Sequence, residues 1–238
     1  MYYWRSLLFI LVLVISVLSS QLPVLSVEND LGLWTNINLK VPITNKIETR
    51  FQFSPRLVDN ITDFNQFVTH GTLGYKLNKN FSIWQGYAWS TTYIPNFRRE
   101  QRIYNDIVYE STFKKLELEN RFRLEERFLQ SVEGVSLRGR YRLKASYPID
   151  RRKKWRVVFI DEIFTNFNSH FNGPQAGLDQ NRIYLGLNKR FNEHFNLDGG
   201  YQLQHLHRES NDDKLNHFIM FKFNFILPQL IKKKELKM

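Results

Sequence analysis

Residues 116 to 128 read LELENRFRLEERF, and the spacing of charge in that run limits the folds open to the chain. Leu, Glu and Arg are good helix formers, and a Glu/Arg mixture supplies i,i+4 pairs, so composition favours a helix. Periodicity disagrees. Leu116, Leu118, Phe122, Leu124 and Phe128 fall on even positions, interrupted by Asn120 and Glu126, while Glu117, Glu119, Arg121, Arg123, Glu125 and Arg127 occupy every odd one. On a helix these charges would wrap round the cylinder and leave no apolar stripe to bury. On a strand they all point to one side.

The same period of two recurs from residue 31 to residue 225. In LGLWTNINLKV, Leu31, Leu33, Ile37, Leu39 and Val41 alternate with Trp34, Asn36, Asn38 and Lys40. Ile47, Phe51 and Phe53 alternate with Glu48, Arg50 and Gln52, and Ile83, Tyr87, Trp89 and Tyr93 share one side of a later segment. In VSLRGRYRLKASY, Val135, Leu137, Tyr141, Leu143 and Tyr147 alternate with Arg138, Arg140, Arg142 and Lys144. The last segment, HFIMFKFNF, sets Ile219, Phe221, Phe223 and Phe225 opposite Phe218, Met220, Lys222 and Asn224. The pattern yields about eleven strands of about 10 to 14 residues. Tight turns at Thr44 to Lys46, Asn78 to Asn80 and Asn192 to His194 alternate with longer polar loops near 58–63, 95–100, 129–134, 168–178 and 207–214.

The N-terminus has the form of an export signal. MYYWR is a short basic n-region, and SLLFILVLVISVL is an apolar core too short for a membrane span of about 20 residues. Small residues at Ser20, Val24 and Ser26 place cleavage before the barrel. Pro23 and the polar break from Ser19 to Gln21 oppose an uncleaved anchor from Leu7 to Val27. The expected division is a signal peptide at 1–26, a barrel at 27–225 and a basic C-terminal tail at 226–238. With no cysteine in the chain, disulfides, thiolate metal sites and a lipidated N-terminal Cys are all closed. The net charge of +11 suits anionic lipids or solutes, whereas export argues against nucleic acid. A mean hydropathy of −0.42 would suit a soluble protein, but a membrane barrel dilutes its apolar face with alternate polar residues and gives a similar average.

A soluble barrel puts apolar residues inside; a transmembrane barrel turns them toward lipid around a polar lumen. Strand lengths beyond the ordinary 5 to 6 residues or so, aromatics near strand ends (Trp34, Tyr93, Tyr147, Trp155, Phe191, Phe195, Phe225) and the alternation of turn lengths favour the second. The alternative is a secreted, lipocalin-like barrel around an apolar ligand, whose single cavity would be crowded by so many Phe, Tyr and Trp side chains. The expected fold is therefore all-β: a single antiparallel up-and-down transmembrane β-barrel of ten to twelve strands. Twelve is the expected number, because single-chain bacterial barrels use even counts and the first strand would otherwise begin outside the cell.

LGLWTNINL, ELENRFRLEERF, RGRYRL, DEIFTNFN, LDQNRIYLGLNKRF and LDGGYQLQ, in this order, resemble a bacterial outer-membrane family catalogued as domain of unknown function 2490. The resemblance implies an outer-membrane barrel and no established activity or ligand. One departure is the extension FILPQLIKKKELKM beyond Asn224, where such barrels end in an aromatic residue; Phe225 is the candidate for that role, with a tail behind it.

The chemistry of the chain concentrates in an Arg/Glu wall. Glu117, Glu119, Arg121, Arg123, Glu125 and Arg127 would face Arg138, Arg140, Arg142 and Lys144 on the next strand, with Glu162 and Arg182 joining from neighbouring walls. Charges in a narrow lumen need partners or water. The wall is read either as an interlocked salt-bridge plug or as an eyelet leaning toward anions. An outer-membrane phospholipase comparison brings in His170 and Asn181, but Asn172 stands where that family has its serine, and Ser169 points to the opposite face in extended chain. His70, His194, His205, His207 and His217 show no metal-site spacing. The resulting expectation is an outer-membrane protein of a Gram-negative bacterium, structural or pore-forming, without enzymatic activity or cofactor. Its partners would be outer-membrane lipids and the barrel-assembly machinery, and not nucleic acid.

Overall fold

The computed structural model describes residues 29–130, 132–207 and 213–231. The expected signal peptide and the end of the basic tail lie outside the described residues. Eleven strands follow in order: β1 (Asn29–Pro42), β2 (Ile47–Val58), β3 (Asp63–Lys76), β4 (Phe81–Thr92), β5 (Arg98–Phe113), β6 (Leu116–Leu129), β7 (Ser136–Pro148), β8 (Trp155–Asn166), β9 (Gly177–Arg190), β10 (Phe195–Leu206) and β11 (Lys214–Ile226). LELENRFRLEERF is strand β6, as its periodicity requires.

Neighbouring strands pair antiparallel in sequence order, and the sheet closes on itself through β1 and β11. The expected all-β up-and-down barrel is thus present, with eleven strands in place of the favoured twelve. The seam explains the difference: β1 pairs β11 in parallel, from Asn29 opposite Leu215 to Lys40 opposite Ile226. A parallel seam lets an odd number close without leaving an edge. The seam continues past the last strand, where the N–H groups of Leu227, Leu230 and Ile231 donate to the carbonyls of Lys40, Pro42 and Ile43.

Side-chain chemistry fixes the tight turns. Asn78 Oδ1 accepts from the backbone N–H of Asn80 and Phe81, both at 2.8 Å, and Thr44 Oγ1 accepts from Ile47 N–H at 2.9 Å. Asn192 Oδ1 does the same for His194 N–H at 2.8 Å. These are the local turns that Asn and Thr favour, and all three lie at one end of the barrel. In the slightly longer turn after β7, at the same end, Asp150 accepts from Trp155 N–H at 2.8 Å, which holds its carboxyl below the usual range.

The faces are inverted relative to a soluble protein. On β6, Phe122, Leu124 and Phe128 are exposed on the outside, while Arg121, Arg123, Glu125 and Arg127 are buried within. Tyr93, Tyr147, Trp155, Phe191 and Phe225 stand exposed near strand ends, where the sequence suggested an aromatic girdle. Trp34 does not join them. It follows the parity of Asn36 and Asn38 into the lumen, is buried, and packs against Phe218 with ring centroids 4.2 Å apart. With Val158, Tyr184, Phe218 and Met220 it forms an apolar patch on the inner wall.

Candidate functional site

The inward side chains of β5 to β8 build a continuous ionic network. The register sets Arg123 opposite Arg140 and Arg121 opposite Arg142, so like charges meet directly across the β6 and β7 ladder. The repulsion is relieved by diagonal and next-strand partners, which long side chains can reach. Glu125, 0% exposed, accepts from Arg138 Nε and Nη2 at 2.8 and 2.6 Å and from Arg140 Nη1 at 2.6 Å. Arg140 Nη2 also reaches Glu162 Oε1 at 2.7 Å, which accepts from Arg121 Nη2 at 2.5 Å across the intervening strand. Arg123 forks onto both oxygens of Asp106, at 2.6 and 2.8 Å, and lies 3.6 Å from Glu125. Such bidentate geometry is the strong form of a charge-assisted hydrogen bond.

Other members of the sequence-derived set form separate pairs. Arg127 donates to Glu100 at 2.6 Å, Arg142 pairs with Glu119, and Arg156 pairs with Glu117 nearer the tight-turn end. Lys144 and Arg182 line the lumen without a salt bridge among the described residues. Sequence reading missed Glu100, Arg102 and Asp106 on β5 and Arg156 on β8. Their parity was available: Glu100, Arg102, Tyr104 and Asp106 alternate with the exposed Ile103 and Ile107. A second ionic cluster went unnoticed on β1 and β2, where buried Glu48 meets Lys40 Nζ at 2.8 Å and Arg50 Nε at 2.7 Å.

Aromatic rings support the charged groups from within the lumen. Arg123 Cζ lies 3.7 Å from the Tyr104 ring centroid, and Arg50 Cζ 3.8 Å from that of Trp84. Each ring lies where a neighbouring strand carries only hydrogen: a Cβ at Gly86 would collide with Tyr104, and one at Gly74 with Trp84. Tyr104 OH is 2.7 Å from Thr72 Oγ1 and 3.3 Å from His70 Nδ1.

Inside the barrel lies a cavity of about 1290 Å³. Seventeen Lys and Arg residues line it against eight Asp and Glu. It reaches from Asn65 and Leu206 at the long-loop end to Lys79 and Arg190 at the tight-turn end.

Outside the lumen the chemistry is sparse. Ser169 Oγ accepts from Ala176 N–H at 2.9 Å, while His170 Nε2 lies 3.1 Å from Asn168 Nδ2. Asn181 donates to Asp161 at 2.7 Å. His205 Nε2 pairs with Asp213 at 2.8 Å, with His207 also turned to that carboxylate. Among the described residues no three His, Asp or Glu side chains converge as a metal site.

The family described as "Protein of unknown function (DUF2490)" matches residues 31–216, from the third residue of β1 to the third residue of β11. The chain belongs to this family. A relative within reach is an uncharacterized protein of Methylorubrum extorquens strain AM1, 25% identical over 174 residues that cover 71% of this chain and 75% of that protein. No solved structure gives a significant match. The family match thus spans β2 to β10 in full and most of β1, and with them the whole Arg/Glu wall.

Proposed function

We propose that this family member is an outer-membrane β-barrel that passes small anionic solutes through a cationic lumen. The observation that carries the reading is the single cavity that touches rim residues at both ends and is lined by twice as many basic as acidic groups. Fixed charge of one sign in a low-dielectric passage enriches the opposite ion and raises its flux. The outward Phe, Tyr, Leu and Ile face supports lipid as the surrounding medium, since a patch of that extent in water is an aggregation hazard. Partition into the membrane fraction and heat-modifiable gel migration test the placement; recovery in the soluble fraction would favour the secreted, ligand-binding barrel.

A planar-bilayer recording under a salt gradient tests the passage, for the protein and for Arg123→Ala. The expected result is a current whose reversal potential has the sign of anion preference, weakened in the variant. One specific observation favours a second, structural reading. Glu125 is wholly buried among three guanidinium groups, as a brace would be. No current in either form would leave that reading standing and remove the pore.

A further inference from the structure

Most lumenal guanidinium groups hold a carboxylate, but among the described residues Arg56 on β2 and Arg182 on β9 do not, nor does Arg190 at the tight-turn end. Arg56 donates to Gln66 Oε1 at 2.6 Å and to Ser54 Oγ at 3.4 Å, both neutral. Arg182 Nε donates to the amide oxygen of Gln180 at 3.2 Å, again a neutral group. Glu162 lies opposite Arg182 in the strand register, yet its carboxylate is already engaged by Arg121 and Arg140. Arg56 and Arg182 lie over one indole, with Arg56 Cζ 4.0 Å and Arg182 Cζ 4.9 Å from the Trp34 centroid. Lys222, also without a salt bridge among the described residues, sits 3.9 Å over the Tyr184 ring. An aromatic face attracts a cation but does not neutralise it, so these donors remain set for an anion.

What adjoins them is apolar. Trp34 belongs to the inner patch with Phe218, Met220, Tyr184 and Val158, against which Val58 and Ile160 pack. An apolar wall beside guanidinium groups without a carboxylate matches a ligand with one charged end and one apolar end. We propose that the Trp34 wall is a binding site for amphipathic anions, carboxylates or phosphate monoesters bearing a short aryl or alkyl group, with Arg56 and Arg182 holding the head and Phe218 and Met220 the body. The site rests on the cationic, water-filled lumen of the proposed function, and requires no passage through it.

Calorimetric titration of the folded full chain in non-ionic detergent tests the site, with phenyl phosphate, inorganic phosphate and phenol as probes. Phenyl phosphate should bind at least tenfold more tightly than either fragment. Arg56→Gln and Arg182→Gln should each weaken it at least tenfold, Trp34→Leu should abolish its advantage over inorganic phosphate, and Arg152→Gln, in the turn after β7 and outside the cavity lining, should change nothing. Heat-modifiable migration confirms that each variant is folded. Absent binding of phenyl phosphate, binding equal to that of inorganic phosphate, or affinity unchanged in the Arg56→Gln/Arg182→Gln double variant overturns the proposal. Failure of the pore reading is distinct: no current in bilayers with intact phenyl phosphate binding would remove passage and keep the site.

Discussion

Removing the Glu125 carboxylate should destabilise the barrel more than any other single change in the ionic network. Glu125→Ala deletes the acceptor of two hydrogen bonds from Arg138 and one from Arg140, and the near neighbour of Arg123 at 3.6 Å. The three cations are not equally stranded. Arg123 keeps both oxygens of Asp106, and Arg140 keeps Glu162 at 2.7 Å, whereas Arg138 retains only Asp179 at 3.3 Å. The loss therefore falls chiefly on one buried guanidinium, for which breaking a buried pair costs about 3 to 5 kcal/mol. Glu125→Gln keeps one acceptor oxygen and loses the charge, so its cost should lie between that of Ala and zero.

Arg156→Ala is the internal control. Its pair with Glu117 lies toward the tight-turn end with both side chains partly exposed, where an ion pair contributes at most about 1 kcal/mol. Urea titration of the barrel reconstituted in lipid vesicles, followed by tryptophan fluorescence and heat-modifiable migration, measures both. A Glu125→Ala cost within about 1 kcal/mol of that of Arg156→Ala would refute the reasoning. It would mean that water in the lumen solvates Arg138 as well as the carboxylate does.

Phe122→Arg, on the outward, exposed face of β6, should cost about 2 to 4 kcal/mol if that face meets a bilayer midplane, as the proposed placement requires, and lower the yield of folded barrel in vesicles; an unchanged urea midpoint would count against a lipid-facing Phe122. Gly86→Val should cost about 1 to 3 kcal/mol, because the new side chain occupies the space of the Tyr104 ring, and the same urea titration reads it. The chain has no cysteine, so single thiols report topology cleanly. In intact cells an impermeant maleimide should label Asn172→Cys, in the loop after β8, and reach Asn45→Cys, in the turn after β1, only once cells are opened; equal labelling would overturn the orientation.

The strands and their faces were legible because period two is a local property that each segment carries by itself. The Arg/Glu wall was legible on β6 and β7 because charge fills nearly every position of one parity there. On β5 the same parity mixes Glu100, Arg102 and Asp106 with Tyr104 and Val108, which blurs the signal. Pairings were less accessible than positions. Arg121 reaches Glu162 across a whole strand, and only the registers of two successive ladders bring them together. Trp34 shows where two cues compete. Nearness to a strand end suggested the girdle, but its parity with Asn36 already placed it inside, and parity decides, because a strand cannot turn a single side chain through the sheet.

The strand count turns on what an even number is for. Hydrogen bonding alone asks only that the first and last strands meet, and parallel and antiparallel ladders both satisfy their backbone groups. Evenness places both termini at one end of the barrel, which is a statement about routing. With eleven strands, β1 begins at the long-loop end and β11 finishes at the tight-turn end. The parallel seam that results is neither short nor frayed: β1 and β11 run paired from Asn29 to Lys40, and backbone bonds carry the contact on to Ile231. The residues behind Phe225 are thus partly structural. Phe225 itself points outward and stacks on Phe195 with ring centroids 5.1 Å apart, while the chain beyond it extends the closure along the end of β1. An extension past the last aromatic residue, which in the sequence looks like an appended tail, is what a parallel seam needs if β1 is to be covered to its final residue.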